Sequence, residues 1–201
     1  TSKTISITDH RLGPVHAVLE AMDNFNQEEE TIVNYCDFTC HWDYKHFKEF
    51  VSKNNCDGAI PSYKGFHPHT LWNNNYAYLK EQASKVLDIQ EKKPFTHDSQ
   101  SEFASSGTYY YKSGKIMKDY FNRCIEEELM VGNEYYVSMP YKPMIQDGMN
   151  VMVYELNYFM QWGTPSDLEE YIYWSNLFNT ITKGKRSAHH EGNLILPMAG
   201  E

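Results

Sequence analysis

The sequence has no excess of positive charge: its 18 Lys and Arg are outnumbered by 27 Asp and Glu, which gives a net charge of −9. Nucleic acids and anionic membrane surfaces are bound through basic fields, so neither is an expected partner. Small anionic substrates remain compatible with this charge, because a few local cations or one metal ion are enough to hold them.

Cysteine pairs with metal-binding spacing are also missing, since the four cysteines, at positions 36, 40, 56 and 124, form no CxxC motif. The chain has no apolar run of membrane-spanning length and no apolar N-terminal segment that would direct export. A reducing cytoplasm is therefore the predicted location. Internal repeats and low-complexity tracts are absent, and 201 residues predict one ordinary domain with a substantial core.

Strand and helix patterns alternate along the first half of the chain, and this order predicts the fold class. Strands that alternate with helices indicate an α/β domain with a mixed, mostly parallel sheet flanked by helices. Ligands of such sheets bind at the C-terminal strand ends, which places Asp37, after the second strand, in the site. Strands are predicted at 4–7, 31–35, 58–63, 107–111 and 149–156, a hairpin at 76–79 and 86–90, and helices from Gly13–Pro14 and at 43–54, 114–130 and 165–178.

The last nine residues, 193–201, have the pattern of a buried strand followed by a small-residue turn, where α/β sheets bind phosphates. The polar, basic segment 179–192 before them is predicted to be a linker. Residues 1–178 then form one domain. The tail is either the first strand of a second domain, or a permuted first strand that completes the same sheet, or part of a longer natural chain.

Six short motifs are LGPVHAV at 12–18, NYCD at 34–37, IQEKKP at 89–94, SSGTYY at 105–110, NEYY at 133–136 and WGTPSDL at 162–168. In this order they resemble the motifs of nucleotidyltransferases of the sugar-phosphate type, the nucleoside-diphosphate-sugar pyrophosphorylase-like enzymes. The resemblance covers residues 4–178, and 196–200 is similar to the family's first strand and the start of its Gly-rich loop. It implies a Rossmann-like, glycosyltransferase-A-like fold whose N-terminal loop segment is missing or displaced here.

The resemblance also implies an activity and residue roles. Family members join a nucleoside triphosphate to a phosphorylated small molecule with release of pyrophosphate, here for polysaccharide or glycoconjugate precursors. Asp37 resembles the Mg²⁺ ligand, and Gln161 stands where many relatives have an Asp as a second ligand. The other implied roles are catalysis by Lys92, nucleotide binding by Gly13, Pro14, Ala199 and Gly200, and acceptor binding by Glu91, Gly107, Glu134, Gln161, Gly163 and Thr164.

The chemistry of such a transfer explains these residue types. An acceptor phosphate that attacks the α-phosphorus of a nucleotide brings two polyanions together, so charge neutralisation and in-line positioning dominate. No side-chain nucleophile is required. We expect His67 and His69 to contact the acceptor or its phosphate, with a zinc site built from Cys36, Cys40 and His41 as the less favoured alternative.

Competing interpretations remain open from the sequence alone. Asp37 also fits a helix cap, and Lys92 fits a solvated hairpin end. The alternatives for function are a nucleotide-sugar-dependent glycosyltransferase, whose Asp-x-Asp motif is missing at Asp37, and a non-catalytic scaffold within a larger protein or homo-oligomer. The acceptor is a sugar 1-phosphate by resemblance, with a phosphorylated amino acid, choline or polyol also compatible. Weak or no turnover is predicted for this chain by itself.

Overall fold

The computed structural model describes residues 3–67 and 74–186, and within these ranges five α-helices and nine strands alternate. Single 3-10 turns lie at Met22–Asn24 and Ser99–Ser101. The helices are α1 (Pro14–Glu20), α2 (Tyr44–Lys53), α3 (Gly114–Glu126), α4 (Tyr141–Gln146) and α5 (Pro165–Arg186). The strands are β1 (Thr31–Asn34), β2 (Phe38–His41), β3 (Gly58–Tyr63), β4 (Ala77–Gln82), β5 (Lys85–Glu91), β6 (Phe103–Ser105), β7 (Thr108–Tyr111), β8 (Val151–Glu155) and β9 (Tyr158–Gln161).

Seven strands form one sheet in the order β1-β7-β3-β6-β4-β5-β8, and β8 also pairs with β3. The second sheet is the antiparallel pair β2-β9. Among the strand pairs of the described ranges, β3-β8 alone is parallel, so the expectation of a mostly parallel sheet is not confirmed and the sheet is mixed. The reason is connection length: β4 and β5 are joined by Ala83 and Ser84, and so short a link permits only an antiparallel pair.

The strongest sequence patterns produce the predicted elements. The α2 pattern has its N-cap at Asp43, whose carboxylate accepts a hydrogen bond from the His46 amide at 3.0 Å. The strand predicted at 4–7 is wrong: these residues have no regular secondary structure and pair with no strand of the described ranges, and Ile7 is 41% exposed. Four further elements, α4, β2, β6 and β9, were not expected from the sequence.

Helix α5 continues to Arg186, eight residues beyond its predicted end, so residues 179–186 of the predicted linker are helical. Their polar composition does not stop the helix, since Lys and Arg are good helix formers and cations favour the last turn. The hydroxyls of Thr180 and Thr182 each donate to a carbonyl four residues earlier, at 2.8 Å. The division of the chain at 178 stays a prediction, and 187–201 lie outside the described residues.

The large sheet is covered on both faces, which explains why all six residues of β3 are buried. Because side chains of a strand alternate between faces, Ile60 joins the apolar cluster beneath α1, α3 and α4, and Ala59 joins the cluster beneath α2. Phe47 anchors α2 with no exposed surface. Full burial of such a ring contributes roughly 2 or 3 kcal/mol.

Two further expectations concern membranes and thiols. None of the helices in 3–67 and 74–186 combines the length and apolar character needed to cross a bilayer. All four cysteines are free thiols, and the buried pair Cys56 and Cys124 have a raised pKa because burial disfavours the thiolate.

Candidate functional site

A cavity of about 640 Å³ collects residues from widely separated parts of the sequence. Its walls come from the β1-β2 corner, the end of β5, the β6-β7 turn, the segment before α4 and the β9-α5 junction. Eight residues singled out in the sequence line it together, namely Asp37, Glu91, Lys92, Gly107, Glu134, Gln161, Gly163 and Thr164.

Asp37 lies in the corner between β1 and β2, with its exposed carboxylate lining the cavity. It is not a helix cap, since Asp43 caps α2. The Asp37 carbonyl accepts from the Trp162 amide at 2.7 Å, which ties the corner to the end of β9, while no described residue donates to the carboxylate. A Cβ on Gly163 would lie 3.1 Å from Asp37 Oδ2, so this glycine leaves the room that the carboxylate occupies.

Gln161 lies opposite Phe38, the residue after Asp37, in the β2-β9 pair, and it lines the same cavity as Asp37. Its side-chain oxygen Oε1 is buried and has no hydrogen-bond partner among the described residues. A buried acceptor without a donor is costly and calls for a ligand. One carboxylate and one amide oxygen beside substrate phosphates form a donor set that suits Mg²⁺, although the amide is the weaker ligand.

Glu91 is the last residue of β5 and Lys92 follows it, and the two side chains differ in their exposure to solvent. Glu91 is buried and accepts a hydrogen bond from Ser138 Oγ at 2.6 Å, and burial raises its pKa. Lys92 is exposed, and its backbone has a positive φ of 58°. Its ammonium donates to Tyr136 Oη at 2.5 Å, and Tyr136 donates to a Glu134 oxygen at 2.5 Å.

The cation of Lys92 is held by this chain of contacts. Partial burial lowers the pKa of Lys92, but the Tyr136 hydrogen bond and the charges of Glu91 and Glu134 outweigh it, so the pKa is raised overall. The ammonium also lies 4.4 Å from the centroid of the Tyr136 ring. The cavity therefore contains a directed, protonated lysine, and the hypothesis of a merely solvated hairpin end does not describe it.

The β6-β7 turn packs closely against Tyr35 and Phe38 at Gly107, whose positive φ also favours glycine. Gly107 has φ +93°, and a Cβ there would meet Tyr35 Cδ2 at 3.2 Å and Phe38 Cε1 at 3.3 Å. Sequence reasoning missed the aromatic lining, because single tyrosines carry no pattern. Burial raises the pKa of Tyr35, Tyr76 and Tyr109 above the ordinary value, so these phenols stay neutral.

Thr164 begins α5 and forms a capping box with Asp167. The Thr164 amide and hydroxyl both donate to Asp167 Oδ2, at 3.0 and 2.6 Å, and Pro165 follows at the first helical position. Asp167 also lines the cavity and was not singled out from the sequence. The spacing T-P-S-D was the available signal, since a Thr three residues before an acid marks a helix start.

Gly13 and Pro14 line a separate groove rather than the cavity, and Glu134 lines both. Gly13 has φ +89°, and a Cβ there would meet the backbone N and O of Tyr135 at 2.8 and 2.9 Å. The glycine thus has a structural cause in the close approach of residue 135. Its contact with a nucleotide stays a prediction.

His67 lies in a small pocket that adjoins the cavity and shares Phe159, Gln161 and Asp167 with it. Its ring is 4.4 Å from the Tyr63 ring, and burial lowers its pKa. His69, Ala199 and Gly200 lie outside the described residues. Cys36, Cys40 and His41 do not come together as a metal-ligand group in the described part of the chain.

Three solved structures resemble this chain in fold. A nucleoside-diphosphate-sugar pyrophosphorylase from Vibrio cholerae RC9 has a TM-score of 0.62 at 17% identity over 82% of this chain and 66% of its own. A putative glucose-1-phosphate thymidylyltransferase from Bacillus anthracis in complex with a sucrose has a TM-score of 0.63 at 17% identity, over 83% of this chain and 62% of its own. A UDP-glucose pyrophosphorylase complexed with UDP-glucose has a TM-score of 0.65 at 18% identity, over 86% of this chain and 64% of its own. No family model and no curated protein matches the sequence.

These likenesses show that the chain has the fold of sugar-phosphate nucleotidyltransferases, as the sequence motifs predicted. The chain spans less than two thirds of the length of each of the three proteins. At 17–18% identity the comparison establishes the fold, and the chemistry has to be argued from the site itself.

Proposed function

We propose that this chain is a nucleotidyltransferase domain that binds a nucleoside triphosphate and a phosphorylated small molecule and transfers the nucleotidyl group with release of pyrophosphate. The observation that carries the proposal is the convergence of Asp37, Gln161 and Lys92 in one cavity. Within residues 3–67 and 74–186, Asp37 supplies a carboxylate and Gln161 a buried amide oxygen that no donor contacts, and Lys92 supplies a protonated ammonium. Such a set suits two phosphorylated reactants and has no obvious structural purpose.

Each group has a defined task in this proposal. Asp37 and Gln161 would hold Mg²⁺, and the bound ion would supply positive charge that neutralises the phosphates. Lys92 directs its ammonium to the acceptor phosphate, and Tyr136 and Glu134 keep the long side chain in place. The reacting oxygen belongs to the acceptor phosphate and is already ionised, so no side chain has to remove a proton.

In this proposal the groove at Gly13 and Pro14 takes the nucleotide and the cavity takes the acceptor. The two depressions adjoin at Glu134, so the two substrates would lie side by side. Buried Glu91 and exposed Glu134 offer acceptor oxygens to hydroxyl groups, and the tyrosine rings cover an apolar face. A sugar 1-phosphate meets both conditions, and the three similar structures are named for nucleotide-sugar chemistry. The proposed role in making precursors for polysaccharide or glycoconjugate rests on the sequence resemblance.

Calorimetric titration of the full 201-residue chain tests this proposal without requiring turnover. We expect Mg²⁺ to increase the affinity for a nucleoside triphosphate. Asp37→Asn should reduce this Mg²⁺-dependent gain in affinity at least tenfold. Asp119→Asn is the matched control, because Asp119 is an exposed carboxylate on α3 that does not line the cavity.

Three results would count against the proposal or its metal site. Binding of a nucleoside-diphosphate sugar but of no triphosphate would favour a glycosyltransferase. If no nucleotide binds with or without Mg²⁺, the domain acts as a scaffold. If Mg²⁺ increases the triphosphate affinity equally in the Asp37→Asn and Asp119→Asn proteins, Asp37 is not a metal ligand.

A further inference from the structure

Three potential metal ligands come together beside the first helix, away from Asp37. His10 lies in the irregular segment before α1, and His16 and Glu20 lie one turn apart on α1 itself. One ligand atom from each residue lies within 4.8 Å of the others, and in the described ranges no other three His, Cys, Asp or Glu side chains are so placed. The two imidazole rings have their centroids 4.8 Å apart in an edge-on arrangement.

The polar atoms of this cluster are poorly satisfied by the protein. His10 Nε2 and His16 Nδ1 are both buried and have no hydrogen-bond partner among the described residues. Glu20 Oε1 lies 3.3 Å from His16 Nδ1 but without hydrogen-bond geometry, and Glu20 Oε2 accepts from the Thr8 amide at 3.0 Å. Two buried ring nitrogens without partners are costly, which points to a ligand that satisfies both.

We propose that His10, His16 and Glu20 bind a divalent transition-metal ion, with Zn²⁺ the best fit. Two imidazoles and one carboxylate are a recurrent three-ligand set for zinc, with water in the fourth tetrahedral position. Residues four apart on a helix project from the same face, so His16 and Glu20 reach one ion together. Mg²⁺ prefers oxygen ligands, so this site is chemically distinct from the one at Asp37.

Metal binding has a defined consequence for the ring of His10. The Leu12 amide donates to His10 Nδ1 at 3.1 Å, which leaves the ring proton on Nε2 in the metal-free protein. When Nε2 binds the ion, the proton moves to Nδ1 and the Leu12 amide gives up this contact. One exposed hydrogen bond is exchanged for a metal bond, and the ring keeps its neutral charge.

The bound ion would link the segment before α1 to the helix itself. His10 is the one ligand outside the helix, and it lines the groove that also contains Gly13 and Pro14. Zinc would thereby fix one wall of that groove. The inference stands on the cluster alone and does not depend on nucleotide transfer.

Zinc titration by calorimetry is the direct test, in a background with His189→Ala and His190→Ala so that this adjacent pair contributes nothing. We expect one equivalent of Zn²⁺, binding at least tenfold weaker in His16→Ala, and wild-type affinity in His97→Ala, which alters an exposed imidazole outside the cluster. Zn²⁺ at 100 times its Kd should raise Tm by about 5–10 °C. Millimolar Mg²⁺ should not compete.

A second measurement guards against misfolding of the His16→Ala protein. His10→Gln changes only the segment before α1 and leaves the sequence of α1 unchanged. It should weaken zinc binding to the same extent as His16→Ala. The backbone amide resonance of Leu12 should move on zinc addition in the parent background and stay in place in either cluster variant. Absence of zinc binding, or equal affinity in the His16→Ala and His97→Ala proteins, would overturn the proposal.

Discussion

Replacement of Gly13 by alanine tests how tightly the start of α1 is built against residues 134–135. Gly13 has φ 89° and ψ 178°, a region open almost only to glycine, and a side chain there costs about 1–3 kcal/mol. The new Cβ would lie 2.8 Å from Tyr135 N, 2.9 Å from Tyr135 O and 3.0 Å from Glu134 Cβ. The two contacts with Tyr135 are shorter than real Cβ contacts, so the backbone must shift.

That shift disturbs two hydrogen bonds. Tyr135 N donates to the Leu12 carbonyl at 2.9 Å, and the Tyr135 carbonyl accepts from the Val15 amide at 3.1 Å. Each is worth about 1 kcal/mol. We therefore expect Gly13→Ala to lower the free energy of unfolding by about 3–5 kcal/mol and Tm by about 6–20 °C, since a domain of this size loses about 2–4 °C per kcal/mol.

Gly148→Ala is the matched control for the backbone cost. Gly148 has φ +77°, and a Cβ there would meet no atom of the described residues within 4 Å. Its substitution should cost only the positive-φ penalty of about 1–2 kcal/mol. Urea unfolding followed by tryptophan fluorescence gives both values. If the two variants lose stability to within 1 kcal/mol of each other, the steric argument at Tyr135 is refuted.

Three further predictions concern single side chains. Asp43→Ala removes the cap of α2 and should cost about 1 kcal/mol in urea unfolding, whereas Asp43→Asn should be nearly neutral. Phe47→Ala empties a fully buried site and should cost about 3–5 kcal/mol by the same assay, and a cost below 1 kcal/mol would contradict its place in the core. Burial raises the pKa of Glu91 above 4.5, so the folded protein holds that proton more tightly than the unfolded chain and loses stability as pH rises through this pKa. Glu91→Gln should then be more stable than wild type at neutral pH, with the difference shrinking as the solution is acidified, and a pH-independent difference would refute this.

The elements with strong local patterns were predictable from the sequence. Helical spacing and the Asp43 cap determine α2, and the apolar run 58–63 determines β3. The six motifs, through their resemblance, indicated the fold and brought Asp37, Lys92 and Glu134 into one hypothesis. These features depend on contacts between residues close in sequence or on the order of short motifs, and both can be read from the sequence alone.

Tertiary structure alone decided the remainder. Sheet direction depends on which strands pair across long sequence separations, as for β3 with β8, and periodicity does not encode partners. The Lys92-Tyr136-Glu134 chain and the His10-His16-Glu20 cluster likewise depend on side-chain positions that only the packed backbone sets. Helix α5 continues to Arg186, past its predicted end, because a polar composition does not by itself end a helix. Local preference therefore determined which segments form elements, whereas packing between distant segments decided which side chains meet.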